Sequence, residues 1–285
     1  MPTQSSRVET LESRTLMAAG LPRPDHVVIV VEENHSYGQV LGPVVRPVPV
    51  VPKRQSTDPY IRALARRGAS LTNARAETHP SQPNYLALFS GSTQGVTSDA
   101  TPGEAFTTPN LGGELIAAGL TFAGYSESMP SVGFTGSEAE GGLYARKHNP
   151  WVDFADVPAS ANRPFSDFPR PKDFAGLPTV SFVVPNQAND MHSGTVRAAD
   201  DWLRRHLRRY VKWARRHNSL LILTWDEGGG DDNHIATVFA GAHVRRGPYD
   251  QPANHYDVLR TVEDLYDLPH AGASADARPI TGLFV

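Results

Sequence analysis

Apolar residues along the chain fall into bursts of two kinds. The first is continuous and β-branched: in His26-Val-Val-Ile-Val-Val31 every side chain after the histidine is apolar on both faces of an extended strand, which predicts a strand covered on both sides. Similar runs predict strands at Ser70–Thr72, Thr121–Tyr125, Val180–Val184, Leu220–Trp225 and Ala236–Ala240. The second kind repeats at helical spacing. Ile61, Leu64 and Ala65 stand at i, i+3 and i+4 and predict a helix over 59–67, and further helices are predicted over 83–89, 110–118, 198–217 and 256–266. Strands alternating with helices imply a layered α/β fold built on a mostly parallel sheet. Prolines cross residues 41–58, where they forbid a regular helix and disfavour a central strand, so an extended loop is expected there.

The helix expected at 198–217 divides by polarity. Trp202, Leu203, His206, Leu207, Tyr210, Trp213 and Ala214 share one side, while Arg204, Arg205, Arg208, Arg209, Lys212, Arg215 and Arg216 cover the other. A solvated face is the favoured reading, and docking to an anionic surface is the other.

Composition narrows the class. With 285 residues and 39% hydrophobic content the chain can bury a large core, and one domain over 25–285 is expected behind a disordered tail at 1–24. A net charge of −3 argues against a nucleic-acid partner. No run of about 18 apolar residues is present, so no membrane span is expected. There is no cysteine, which excludes disulfides, thiolate ligands and a cysteine nucleophile. The first residues lack the uninterrupted apolar stretch of a secretory signal. However, VETLESRTLMAAG resembles a short N-terminal tag of exported or surface proteins in one group of bacteria, which implies export; without it the chain would be cytoplasmic.

Candidate chemistry gathers at the carboxyl ends of strands, where open α/β sheets bind ligands. The strand at 27–31 ends in Glu32-Glu33-Asn34-His35, that at 180–184 leads to Asp190-Met-His192, and that at 220–225 ends in Asp226-Glu227-Gly-Gly-Gly230-Asp231-Asp232-Asn233-His234. Each alone reads equally well as a helix cap or an exposed turn. Together they offer carboxylates, an amide and imidazoles, a mixed oxygen and nitrogen set suited to a divalent Zn, Mn, Fe, Mg or Ca ion. In THPSQPNY, Ser81 lies between Pro80 and Pro83 ahead of the helix expected at 83–89. Helix capping explains such a serine without any chemistry. A cation beside it would lower the hydroxyl's pKa, and the helix start would favour a phosphate-like anion, which together describe phosphoryl transfer to serine.

Several blocks in order, HVVIVVEENHSYGQVLG, THPSQPNYLALFSGSTQGVTSD, GYSESMP, YARKHNPWVDF, NDMHSG with DDWL, TWDEGGGDDNH and NHYDVLRTVEDLY, resemble the phosphoesterase family of bacterial acid phosphatases and phospholipases C. They run from about residue 26 to 268. The resemblance implies an alkaline phosphatase-like, three-layer α/β/α sandwich. It implies that Glu33 and Asn34 bind the metal, that Ser81 is nucleophile and ligand, and that Asp226 and Glu227 are the later acidic metal pair. His148, Asp190, His192 and His255 fall in blocks lining the same pocket, and Asn84 and His234 are taken with Asp190, His192 and His255 as candidates for phosphate or a second metal. Gly38 departs from the family, many of whose members carry Asp there, and the proline-rich 44–53 is longer than expected, a surface loop in preference to a lid.

The expected activity is therefore that of a metal-dependent phosphoesterase, a monomer hydrolysing small phosphate monoesters through a phosphoserine on Ser81. His192 or His148 would bind phosphate oxygens or protonate the leaving group. His206, His217, His243 and His270 are expected to be structural. The rivals are a phospholipase C-type phosphodiesterase, a metal-free serine hydrolase, for which the GxSxG elbow is missing, and a non-catalytic surface protein that binds anions.

Overall fold

The computed structural model describes residues 21–43 and 58–285. Most of the tail at 1–24 and the proline-rich segment at 44–53 lie outside the described residues. The described residues form ten strands: β1 His26–Glu32, β2 Ala69–Arg75, β3 Phe122–Ser126, β4 Glu138–Ala139, β5 Tyr144–Ala145, β6 Asn162–Pro164, β7 Val180–Val184, β8 Ser219–Trp225, β9 His234–Gly241 and β10 Gly247–Tyr249. The helices are α1 Tyr37–Val40, α2 Pro59–Arg67, α3 Ser81–Ser90, α4 Leu111–Ala117, α5 Val196–His206, α6 Arg208–Ala214 and α7 His255–Leu265.

Eight strands form one sheet in the order β10-β2-β9-β8-β1-β7-β3-β6. Every neighbouring pair is parallel except those made by β9, which runs against both β8 and β2. Helices α3, α4 and α7 pack together in one layer and α2, α5 and α6 in the other, so the expected three-layer α/β/α sandwich is what forms. Val27–Val31 are all buried, as a central strand covered by both layers requires.

Three elements differ from expectation. Helix α3 begins at Ser81, two residues early, with Pro80 in the cap position. Pro83 is tolerated in the first turn because no carbonyl lies one turn back to pair with its missing N–H. All ten residues of α3 are buried, and it stops at Gly91, whose φ of 64° is left-handed and where a Cβ would run into the Ala271 carbonyl. The helix expected at 198–217 bends at Leu207 into α5, which follows α2, and α6, which packs on β8 and β9. Between β3 and β7 the chain forms the β4–β5 hairpin, β6 and several single 3₁₀ turns, none of which a periodic pattern announces. The turn at Arg146–His148, directly after β5, carries two residues that matter below.

In the α3 layer, Glu114 of α4 has its carboxyl pK raised to about 8, first by burial, then by the nearby charges of Glu263 and Asp156. Folding therefore takes up a proton, and stability falls as pH rises from the unfolded value near 4.3 to about 8, then levels off. Glu114→Gln removes that dependence. Its gain over the parent should be negligible near pH 4 and reach ~1 kcal/mol by pH 8, a figure reduced for the partial exposure of the group. Urea unfolding at both pH values checks this, and a gap independent of pH would refute it.

Candidate active site

The order β8-β1-β7 sets three polar strand ends side by side. Glu32 pairs in register with Trp225, so Glu33 lies next to Asp226. Backbone bonds lock this corner: Asp226 N–H donates to Glu32 O at 2.9 Å, and Glu33 N–H donates to Asp190 O at 2.8 Å. Asn34, whose φ of 51° is one that Asn tolerates, donates its backbone N–H to Asp226 Oδ1 at 3.0 Å. Strand alternation turns Glu33 towards α3 and Glu32 towards the other layer. Glu32 is fully buried, and its pKa is raised first by burial and then by Asp190, Asp200 and Glu127.

Ser81 stands on the first turn of α3, buried, with its Oγ donating to Glu33 Oε2 at 3.2 Å. It is also close enough to Asp226 to help hold that carboxylate's charge. The other Glu33 oxygen accepts from the Tyr85 hydroxyl at 2.5 Å and lies 3.3 Å from His148 Nε2. His148 Nδ1 is 3.7 Å from Asp190 Oδ2, and its ring stacks on Tyr85 at 5.1 Å between centroids. One donor atom each from Glu33, His148 and Asp190 lie within 4.8 Å of one another, all three residues buried.

The electrostatics of this corner are lopsided. Glu33 is raised by burial and by Asp226 and Asp190; Asp190 by burial and Asp226; Asp226 by burial and Glu227. Burial lowers His148, so its imidazole is held neutral. Asp190 Oδ2, Asp226 Oδ2 and His148 Nε2 have no hydrogen-bond partner among the described residues. Buried acids that repel one another, with orphaned oxygens and a neutral imidazole among them, are the donor set a divalent cation satisfies. The residues present fit such an ion.

The remaining expected residues are placed as follows. Glu227 is raised by burial and held by His79, whose Nδ1 lies 2.7 Å from Glu227 Oε2. His192 is half-buried at the rim, 6.0 Å from His148 between ring centroids, and its backbone N–H donates to Asp190 Oδ1. Asn84 has no amide group to spare: Oδ1 accepts from Glu77 and Thr78 N–H, and Nδ2 donates to the Thr78 and Pro80 carbonyls. It holds the turn before Ser81 in shape. His255 contacts the Trp225 carbonyl through Nε2 at 2.9 Å, fixing the strand just before Asp226. His234 stacks on Tyr37 and contacts the Thr72 carbonyl, away from the cluster's side chains.

The pattern along the chain did not single out four participants. Tyr85 stands one helical turn from Ser81, a spacing that could have flagged it. His79 and Lys147 adjoin Pro80 and His148. Asp99 carries no signal, yet its Oδ1 accepts the Gln82 N–H at 3.1 Å and its Oδ2 pairs with Lys147 Nζ at 2.7 Å. The first-turn N–H expected to face a phosphate thus already holds an anion, a carboxylate. A groove of about 620 Å³ beside Arg75, Asn254 and Arg278 lies elsewhere and has no comparable convergence of buried charge.

A sheet of this order with nucleophile-type, acidic and imidazole groups at its carboxyl edge defines a phosphoric-ester hydrolase of alkaline phosphatase-like fold. The chain belongs to the Phosphoesterase family, whose model matches residues 53–269. It is 50% identical over 270 residues to a phosphatidylinositol-3-phosphatase of Mycobacterium tuberculosis, covering 94% of this chain and 86% of that protein. A probable acid phosphatase of Kluyveromyces lactis is 32% identical over 75% of this chain, which spans only 55% of that relative. Among solved structures, a protein in the alkaline phosphatase superfamily from Vibrio parahaemolyticus superposes with a TM-score of 0.65 at 12% identity, over 93% of this chain and 72% of that one. That likeness concerns the fold. The family and its relatives make this chain a hydrolase acting on phosphoric ester bonds, with a small phosphorylated substrate. Among the described residues no helix is long and apolar enough to cross a membrane.

Proposed function

We propose that the chain is a metal-dependent phosphomonoesterase that forms a phosphoserine on Ser81. One observation carries this reading: a buried serine hydroxyl at a helix start, 3.2 Å from Glu33, in a corner where Glu33, His148 and Asp190 bring donor atoms within 4.8 Å. Those three residues would hold the ion, with Asp226 adjoining them, and a bound divalent cation would supply Lewis-acid stabilisation of negative charge. Glu33 Oε2, which accepts from the Ser81 hydroxyl, would take its proton, with Tyr85 and His148 holding that carboxylate's orientation. His192, at the rim, would meet the leaving group. Lys147, paired with Asp99, would offer its charge to a phosphate oxygen. Residues 25–285 would act as one catalytic domain, and the tag-like sequence at 8–20 supports export.

A substrate panel tests the class of ester. p-Nitrophenyl phosphate should be turned over at least ~100-fold faster than bis-p-nitrophenyl phosphate, a ratio large enough to mark a real preference. A choline phospholipid should be a poor substrate. Because the mycobacterial relative is named a phosphatidylinositol-3-phosphatase, phosphatidylinositol 3-phosphate is the first lipid monoester to add. Faster cleavage of the diester or of the choline lipid would establish the phospholipase C-type reading instead.

A further inference from the structure

We propose that the cleft between α2 and the α5–α6 pair is a docking surface for an anionic phospholipid bilayer. Arg67, Arg204, Arg208, Lys212 and Arg215 line it, all exposed, and no carboxylate does. Its floor is apolar, with Leu64 and Val211 beside Tyr60, whose hydroxyl is buried and has no hydrogen-bond partner among the described residues. Five cations in one cleft of a chain whose net charge is −3 is a local concentration, not a general basic excess.

The cations are largely unspent. Arg204 shares Asp201 with Arg197, at 3.4 Å and 2.7 Å, and Arg215 donates to the Arg67 carbonyl at 3.1 Å. Arg67, Arg208 and Lys212 make no ion pair within the described residues. Like charges this close repel, and anions relieve that repulsion. Arg204 lies in the last turn of α5, Arg208 and Lys212 stand four residues apart on α6, and Arg215 caps that helix, so the cations follow one another across the bend at Leu207. Arg205, Arg209 and Arg216 extend the charge outward from them. A row of cations above an apolar floor matches a plane of phosphate headgroups with acyl chains beneath. A nucleic-acid backbone would bring phosphates to the cations but no acyl chains to meet the apolar floor. Docking does not depend on the chemistry assigned to Ser81.

The test is co-sedimentation of the full chain with vesicles of phosphatidylcholine alone and with vesicles containing roughly a third phosphatidylglycerol, at low salt and at about 0.5 M NaCl. Binding is expected only to the anionic vesicles at low salt. The double variant Arg208→Glu/Lys212→Glu should bind at least ~10-fold more weakly, since each cation acts independently on the surface. Its turnover of p-nitrophenyl phosphate should match the parent's, which also shows that it folds. The control Arg75→Glu/Arg278→Glu makes the same charge change on exposed residues of another face and should bind like the parent. Equal binding to both vesicle types, equal losses in the two double variants, or tighter binding to duplex DNA than to anionic vesicles would overturn the proposal.

Discussion

Ser81→Ala should lower kcat on p-nitrophenyl phosphate by about 10³-fold or more, the scale on which removing a nucleophile from a preorganised site acts. Stability should change little. The hydroxyl makes one bond, to Glu33 at 3.2 Å, and its loss leaves a carboxylate that still accepts from Tyr85. A change of about 1–2 kcal/mol is what one long bond of this kind accounts for. The rate and the fold are therefore separable readouts, by steady-state kinetics and by thermal unfolding. Acid-quenched turnover by the parent should yield a peptide phosphorylated at Ser81, and the variant should yield none. A variant that kept full activity would remove Ser81 from the reaction whatever else the site does.

How much of this was readable in the chain depends on the kind of signal. β1, β7 and β8 were legible because buried central strands are apolar on both faces, and their short length and β-branched residues set them apart from a buried helix. Their polar ends followed, so a meeting of Glu33, Asp226 and Asp190 could be anticipated from strand ends alone. The start of α3 was less clear, since a fully buried helix has no amphipathic stripe and two prolines blur its first turn. The stretch from 127 to 179 was not legible, because 3₁₀ turns and two-residue strands have no period to detect. That stretch nevertheless delivers His148 to Glu33, which only the resemblance of YARKHNPWVDF to a family block suggested.

Polar residue type was a poor guide to where a side chain spends its groups. Asn84, His255 and His234 looked like ligands by identity and neighbourhood. Asn84 and His255 instead satisfy backbone groups beside the cluster, and His234 does so at the sheet edge. Buried polar groups must be paired, and a backbone carbonyl nearby is usually the first partner available. The converse case is Asp99. It takes the Gln82 N–H, a position at a helix start that any anion can fill, from a loop whose sequence gives no sign of it.

Removing bound metal should affect stability as well as rate, because the corner is built at an electrostatic disadvantage. Glu33, Asp190 and Asp226 are all buried and all have raised pKa values, with burial the first cause in each. Without a cation, folding must either protonate these acids or hold their charges together in a poorly solvated place. An ion that binds only the folded chain stabilises it by about 2.7 kcal/mol at 100 times its Kd. For a chain of this size that is a rise in Tm of roughly 5–10 °C. Protein dialysed against EDTA should therefore lose activity and melt lower, and adding back Zn, Mn, Fe, Mg or Ca in turn should show which ion restores both. Ser81→Ala should keep the ion-induced rise in Tm, which measures binding without catalysis. Asp190→Asn should lose most of it, because the trio of Glu33, His148 and Asp190 then has one charge fewer. If chelation changed neither Tm nor turnover, the metal reading would fall, and the buried acids would have to be held by protonation or by their protein partners alone.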